Sequence, residues 1–281
     1  MADGLKLALY GLHRGSSAEP ETLARRARAA EEAGFEALWV GDHIAMPVGG
    51  DPPDQPRLEA VVAVAHLAAL TTRIRLGFGV IVLPQRQPVL LAKQLSSIDF
   101  LSGGRLTVGV GVGWIEPELR AMGVSPAERA ARTDEYLAAM RALWDEPVPS
   151  FDGTFVSFDG VLQRPRPVQR PHPPIIVGGH VPAAYRRAVR SGNGWYGWDL
   201  DVEAAAAAVA ELRAAQQRYD RPAELGELEI TITPPDLVDV ATARRYAEAG
   251  VHRLVFQPHT MDGTAMDELI DTVAGTLIGR V

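Results

Sequence analysis

Arg75 to Leu83, RLGFGVIVL, is a short apolar run rich in valine and isoleucine, and it does not alternate with polar residues. It is too short for a helix and too continuous for a half-exposed strand, so it suits a parallel strand buried on both faces. Pro88 then opens a helix whose Leu91, Leu95, Ile98 and Leu101 fall on one side. Gly103 and Gly104 end that helix where a left-handed cap is wanted. Leu106 to Val112 supplies the next strand, and its glycines at 109, 111 and 113 let a flat ligand approach the backbone. A strand–helix–strand unit with glycine at both strand ends implies a binding site on the carboxyl side of a parallel sheet.

The alternation continues from end to end. Strands are predicted at 5–12, 37–41, 75–82, 106–112, 175–178, 194–198, 228–233 and 253–257. Helical patterns lie at 21–33, 58–70, 88–101, 127–143, 183–190, 202–219 and 241–249, with a last one at 266–278. Eight strands, each backed by a helix, predict an α/β fold of the (β/α)8 TIM-barrel type, and 281 residues are enough for one such domain over 1–281. Glu32-Ala33-Gly34-Phe35 before one strand echoes Glu248-Ala249-Gly250-Val251 before another, as a repeated helix-to-strand joint requires. Chance similarity explains those residues equally well, and the barrel does not depend on the echo. Between strands four and five lies an insertion holding a helix, the aromatic segment 151–158 and the proline-rich 164–174, a length that points to function.

Composition narrows the chemistry. The chain has no cysteine, which removes disulfides, thiolate catalysis and cysteine metal sites together. A net charge of −7 without a basic stripe argues against nucleic acid and anionic lipid. There is no apolar run of membrane-spanning length, and MADGLKLALYGL at the start lacks the features of a secretory signal. The expectation is a cytoplasmic enzyme acting on a small molecule, as a homodimer.

Several residues have the right chemistry at strand ends. Asp42 and His43 follow strand two, where a carboxylate beside an imidazole orders a ring and moves a proton near neutral pH. A turn-capping aspartate beside a space-filling histidine fits the same residues. Gly79-Val80-Ile81 ends strand three as a tight turn or bulge. The glycines at 109, 111 and 113 fail the dinucleotide spacing, because Trp114 stands where the last glycine is needed. Gly178-Gly179-His180 precedes the helix that Pro182 opens. Either it is an anion site at a helix N-terminus, or it is a plain strand-to-helix turn. Of Trp195 and Trp198, alternation lets only one register face the barrel interior. The histidines are scattered without metal-ligand spacing, so no metal is expected, and no G-x-S-x-G elbow is present.

LWVGDH at 38–43, the long segment 75–105, VGVGVGW at 108–114, LQRPRPVQRPHPPIIVGG at 162–179 and GNGWYGW at 192–198 resemble the luciferase-like monooxygenase superfamily. Within it they are most similar to the branch that uses the deazaflavin coenzyme F420. The resemblance implies a flavin-type barrel in which Asp42 and His43 touch the deazaflavin ring and the substrate. It also implies a non-proline cis peptide at Gly79–Val80 backing the ring, the cofactor phosphate at Gly178–Gly179 beside His180, and an insertion that helps close the mouth. Deazaflavin dehydrogenases of sugar phosphates carry a glutamate where Trp114 stands, so one acid expected from that branch is missing here.

Together these observations predict an F420-dependent oxidoreductase that transfers a hydride to or from a small organic substrate. His43 is the expected proton donor or acceptor. Asp42, Gly79, Val80, Gly111, Gly113, Gly178, Gly179 and His180 are expected at the cofactor, and Trp114 and Trp198 at the substrate. An FMN-dependent monooxygenase of the same superfamily and a barrel that binds flavin without catalysis are the rival readings.

Overall fold

Residues 4–49 and 55–281 are described by the computed structural model; residues 1–3, where the segment MADGLKLALYGL begins, and 50–54 lie outside the described residues. Eight barrel strands run in chain order: β1 (Lys6–Tyr10), β2 (Ala37–Val40), β3 (Arg75–Phe78), β4 (Leu106–Gly111), β5 (Ile175–Gly178), β6 (Gly194–Trp198), β7 (Glu229–Thr233) and β8 (Arg253–Phe256). Each pairs in parallel with the next, and β8 pairs with β1 in the register Lys6–Arg253, which closes the barrel. The helices are α1 (Pro20–Ala33), α2 (Ala60–Leu70), α3 (Pro88–Leu101), α4 (Glu116–Ala121), α5 (Arg129–Asp145), α6 (Pro182–Ser191), α7 (Val202–Arg218), α8 (Val240–Glu248) and α9 (Ala265–Thr276). No helix among the described residues is long and apolar enough to cross a membrane.

Alternation along the strands sorts side chains into two cores. Leu7, Leu9, Leu38, Val40, Leu76 and Phe78 join the helices in the outer core. Ala8, Tyr10, Ala37, Trp39, Ile176, Tyr196 and Val255 fill the barrel itself. The continuous apolar runs are therefore strands buried on both faces, as their sequence predicts. The two echoed joints have the same geometry: Gly34 and Gly250 sit at φ +96° and +99°, a region that glycine enters without a Cβ clash.

The amino end of the barrel is sealed by ions. Arg253 lies inside, paired with Glu36 through Nε–Oε2 at 2.8 Å and with Glu229, and it hydrogen-bonds Thr231 Oγ1 at 3.1 Å. Lys6 pairs with Glu229 from outside at 2.7 Å. The opposite, carboxyl mouth is the end at which barrels of this kind carry their sites.

Most ends shift by a residue or two, and two elements differ in kind from the sequence expectation. The run 75–82 is not one strand: β3 stops at Phe78, the Gly79–Val80 peptide is cis, and a two-residue strand at Ile81–Val82 then pairs with β4. The helix expected over 127–143 is α5 alone, and the separate α4 precedes it. The rest of the insertion also departs from the resemblance. Its antiparallel hairpin (Phe151–Asp152 with Ser157–Phe158) is held by Glu135 of α5, which accepts from the Thr154, Phe155 and Val156 amides. The proline-rich stretch returns along α3, where Asp99 accepts from the Val168 and Gln169 amides. Both pack on the outer wall. Within the insertion, α4 is joined to the mouth.

Candidate active site

Asp42 and His43 leave β2 side by side, and the structure gives them different surroundings. The Asp42 side chain is buried. Its Oδ2 accepts from the Val82 amide at 3.0 Å and from Arg86 Nε at 2.9 Å, and its Oδ1 accepts from Arg86 Nη2. Arg86 also pairs with Glu59, at 2.6 Å, and Glu59 caps α2 by accepting from the Val62 amide. The cluster ties the end of β2, the turn after β3 and the start of α2 together. Burial alone lowers the Arg86 basicity, but its two carboxylates outweigh that and hold it above its ordinary value. The Asp42 carboxylate is thus committed within the protein rather than presented at the mouth.

His43 is paired with a residue that the sequence reading passed over. Its Nδ1 lies 3.1 Å from Glu118 Oε2, and Glu118 Oε1 accepts from the Ile44 and Ala45 amides. Glu118 is 2% exposed. Burial pushes its carboxyl up, yet the His43 contact and the two amides overcome that and leave it below the usual range. A carboxylate of this kind fixes the proton on Nδ1 and leaves Nε2 as the nitrogen open to a ligand. What carries Glu118 there is α4, whose Leu119 packs with Val82 and Val124 in a small apolar cluster at the mouth. Glu116 and Glu118 both belong to the first turn of α4, so the segment WIEPE announces acids near strand four without saying which one turns inward.

The glycines of strand four prove to serve a neighbouring side chain. A Cβ on Gly111 would stand 2.7 Å from Val80 Cγ2, one on Gly178 2.9 Å from Val80 Cγ1, and one on Gly113 2.5 Å from Val82 Cγ1. A Cβ on Gly109 would collide with the Phe78 carbonyl. The chain that follows β3 fills the space beside these glycines: Gly111 and Gly178 seat Val80, and Gly113 seats Val82. Gly79 and Val80 are themselves half-exposed between buried neighbours, so this supported bulge presents surface at the mouth.

Around it stand aromatic rings. Tyr196 and Trp198 share the inner face of β6, with Trp198 5.3 Å from Tyr10 and 6.3 Å from Tyr196 between centroids. Trp195 faces outward, donating from Nε1 to the Gly179 carbonyl at 2.8 Å and packing on Tyr185. The alternation thus assigns Trp198 to the interior. Trp114 is 78% exposed at the end of strand four. Gly179 has φ +125°, which requires glycine for the turn whatever else binds there. His180 Nε2 accepts from the Trp198 amide at 3.0 Å, and no side chain caps α6. Of the arginines of α6, Arg186 and Arg187 are turned to Asp134, and Arg190 lies in the last turn. No group of three or more metal-ligating side chains occurs among the described residues.

Comparison with known proteins gives this geometry a family. The family model for luciferase-like monooxygenases matches residues 7–272. An uncharacterized protein of Mycobacterium tuberculosis (strain ATCC 25618 / H37Rv) is 35% identical over 263 residues, 88% of this chain and 90% of that one. The FMNH(2)-dependent dimethylsulfone monooxygenase of Pseudomonas putida is 32% identical over 204 residues, 71% of this chain and 54% of that one. An F420-dependent secondary alcohol dehydrogenase, solved in complex with an F420–acetone adduct, shares the fold with a TM-score of 0.78 at 16% identity, covering 95% and 97% of the two chains. The chain belongs to the luciferase-like monooxygenase family.

Proposed function

We propose that this protein is a single-domain, F420-dependent oxidoreductase that transfers a hydride between the deazaflavin and a small organic substrate. The observation that carries the reading is the His43–Glu118 pair at the barrel mouth, beside the supported bulge at Val80. The mouth suits such a cofactor. Val80 offers a firm, half-exposed apolar surface, Trp198 stands on the inner face of β6, and the uncapped start of α6 after Gly178, Gly179 and His180 offers backbone amides to a phosphate, the Gly179 amide itself being held by the Tyr196 carbonyl at 3.4 Å. Gly111 and Gly113 act at one remove, by seating Val80 and Val82, and Asp42 acts by holding the Arg86 loop.

Bound there, the deazaflavin supplies the hydride chemistry at carbon 5 of its ring. His43 holds or moves the accompanying proton at Nε2. Glu118 keeps Nδ1 protonated and stabilises the imidazolium when His43 gains a proton. Trp114 and Trp198 border the space left for substrate. The apolar residues Val62 of α2 and Leu90 and Leu101 of α3 stand exposed on neighbouring helices, which supports a homodimer, and the enzyme would work in the cytoplasm.

The likeness to an FMNH(2)-dependent relative favours a second reading, an FMN-dependent monooxygenase. Charge argues for the deazaflavin. Its phosphate is a diester with one negative charge, whereas the monoester of FMN approaches two at neutral pH and calls for a cation. The two arginines of α6 nearer its start, Arg186 and Arg187, are already paired with Asp134, and Arg190 lies in its last turn. Fluorescence titration of the purified protein with F420 and with FMN tests the reading. Tighter F420 binding is expected. Tight FMN binding without deazaflavin quenching would transfer the site to the monooxygenase, and binding of neither would overturn both.

A further inference from the structure

The loops after β1, β7 and β8 enclose a cavity of about 900 Å³ at the mouth. Arg14, which follows β1, lines it. Its guanidinium lies 5.5 Å from the Tyr10 ring centroid, and its Nη2 donates to Gln257 Oε1 at 3.3 Å. Nε is buried and makes no hydrogen bond, and Arg14 has no ion-pair partner among the described residues. Arg57 meets Arg14 across an antiparallel bridge and adds a second positive charge near Tyr10 and His13. The carboxylates that line the cavity, Asp236 and Glu268, are exposed, whereas Arg14 is half-buried. Leu237, Met261 and Leu269 supply apolar wall.

The loop bearing Arg14 is tied to the site already described. The Gly41 amide donates to His13 Nε2 at 3.2 Å. That bond joins the loop bearing Arg14 to the loop bearing His43, each one or two residues from the contact. A half-buried guanidinium that lines a cavity, near an aromatic ring and beside an amide side chain, suits a planar oxyanion.

We infer that Arg14 anchors the carboxylate of the substrate, which makes the substrate class a small organic acid whose apolar body lies against Leu237, Met261 and Leu269. The word substrate rests on the oxidoreductase reading; the anion site does not.

Calorimetric titration of the full-length protein with benzoate and benzyl alcohol, matched probes that differ in charge, tests it. Benzoate is expected to bind at least about tenfold more tightly, the scale of a charge-assisted hydrogen bond. Arg14→Met, which keeps an apolar stem over Tyr10, and Arg14→Gln are each expected to erase that preference while F420 binds as before. If one variant does not fold, the other serves. Equal binding of the two probes, or a benzoate preference that survives both substitutions, would overturn the inference. So would a tenfold loss of F420 affinity with benzoate binding unchanged, which assigns the cation to the cofactor. Arg14-dependent benzoate binding in a protein that takes neither F420 nor FMN would uphold the anion site while the oxidoreductase reading fails.

Discussion

Glu118→Gln is expected to lower turnover by roughly 10²–10⁴-fold while the protein folds and binds cofactor as before. The amide is nearly isosteric, and its oxygen still accepts from the Ile44 and Ala45 amides that Glu118 now binds. Its nitrogen, however, donates to His43 Nδ1 where the carboxylate accepted. The proton then sits on Nε2, so a neutral His43 loses its ability to accept there, and the imidazolium loses its counter-charge. His43→Ala should produce a loss of similar size, and the double variant little more, because the two side chains act as one unit. Single-turnover oxidation or reduction of bound deazaflavin, with any substrate the enzyme accepts, measures all three. Unchanged rates would remove the pair from the mechanism. The sign of its pH dependence follows from the depressed Glu118 carboxyl. The stabilisation it gives is complete above the ordinary carboxyl range and is lost as pH falls through the lowered value, so the pair is intact at neutral pH.

Asp42→Ala is expected to cost about 3–5 kcal/mol of stability, the usual penalty for stranding one half of a buried ion pair. Arg86 would be left with Glu59 alone, and the Val82 amide would lose its acceptor. Arg86→Met in the same chain should recover part of the loss, since it removes the stranded charge. Urea denaturation of the two variants beside the unchanged protein measures this. A loss below about 1 kcal/mol together with weakened cofactor binding would return Asp42 to the ligand-contacting role that the family resemblance implies.

The barrel was legible because each strand is a short apolar run and each joint ends in a turn residue, two signals that local sequence carries in full. The cis peptide at Gly79–Val80 lies where the family resemblance put it. What local sequence does not carry is who faces whom across the mouth. Gly111 reads as room for a ligand, yet the side chain seated beside it is Val80, distant in sequence and brought there by the break after Phe78. Asp42 and Arg86 are 44 positions apart, and His43 and Glu118 are 75 apart. Neither pairing has a spacing that a sequence motif could encode. Trp114 stands where an acid is expected, and the acid that does reach His43 is Glu118, on a helix that the insertion pattern concealed.

The most direct test of the account is a crystal structure of the protein with F420. The account predicts the deazaflavin ring at the carboxyl mouth against Val80, its phosphate at the Gly178–Gly179 turn, and His43 Nε2 facing the substrate space while Glu118 keeps Nδ1. A ring bound away from Val80, or a His43 that has left Glu118 to fill the mouth, would contradict it.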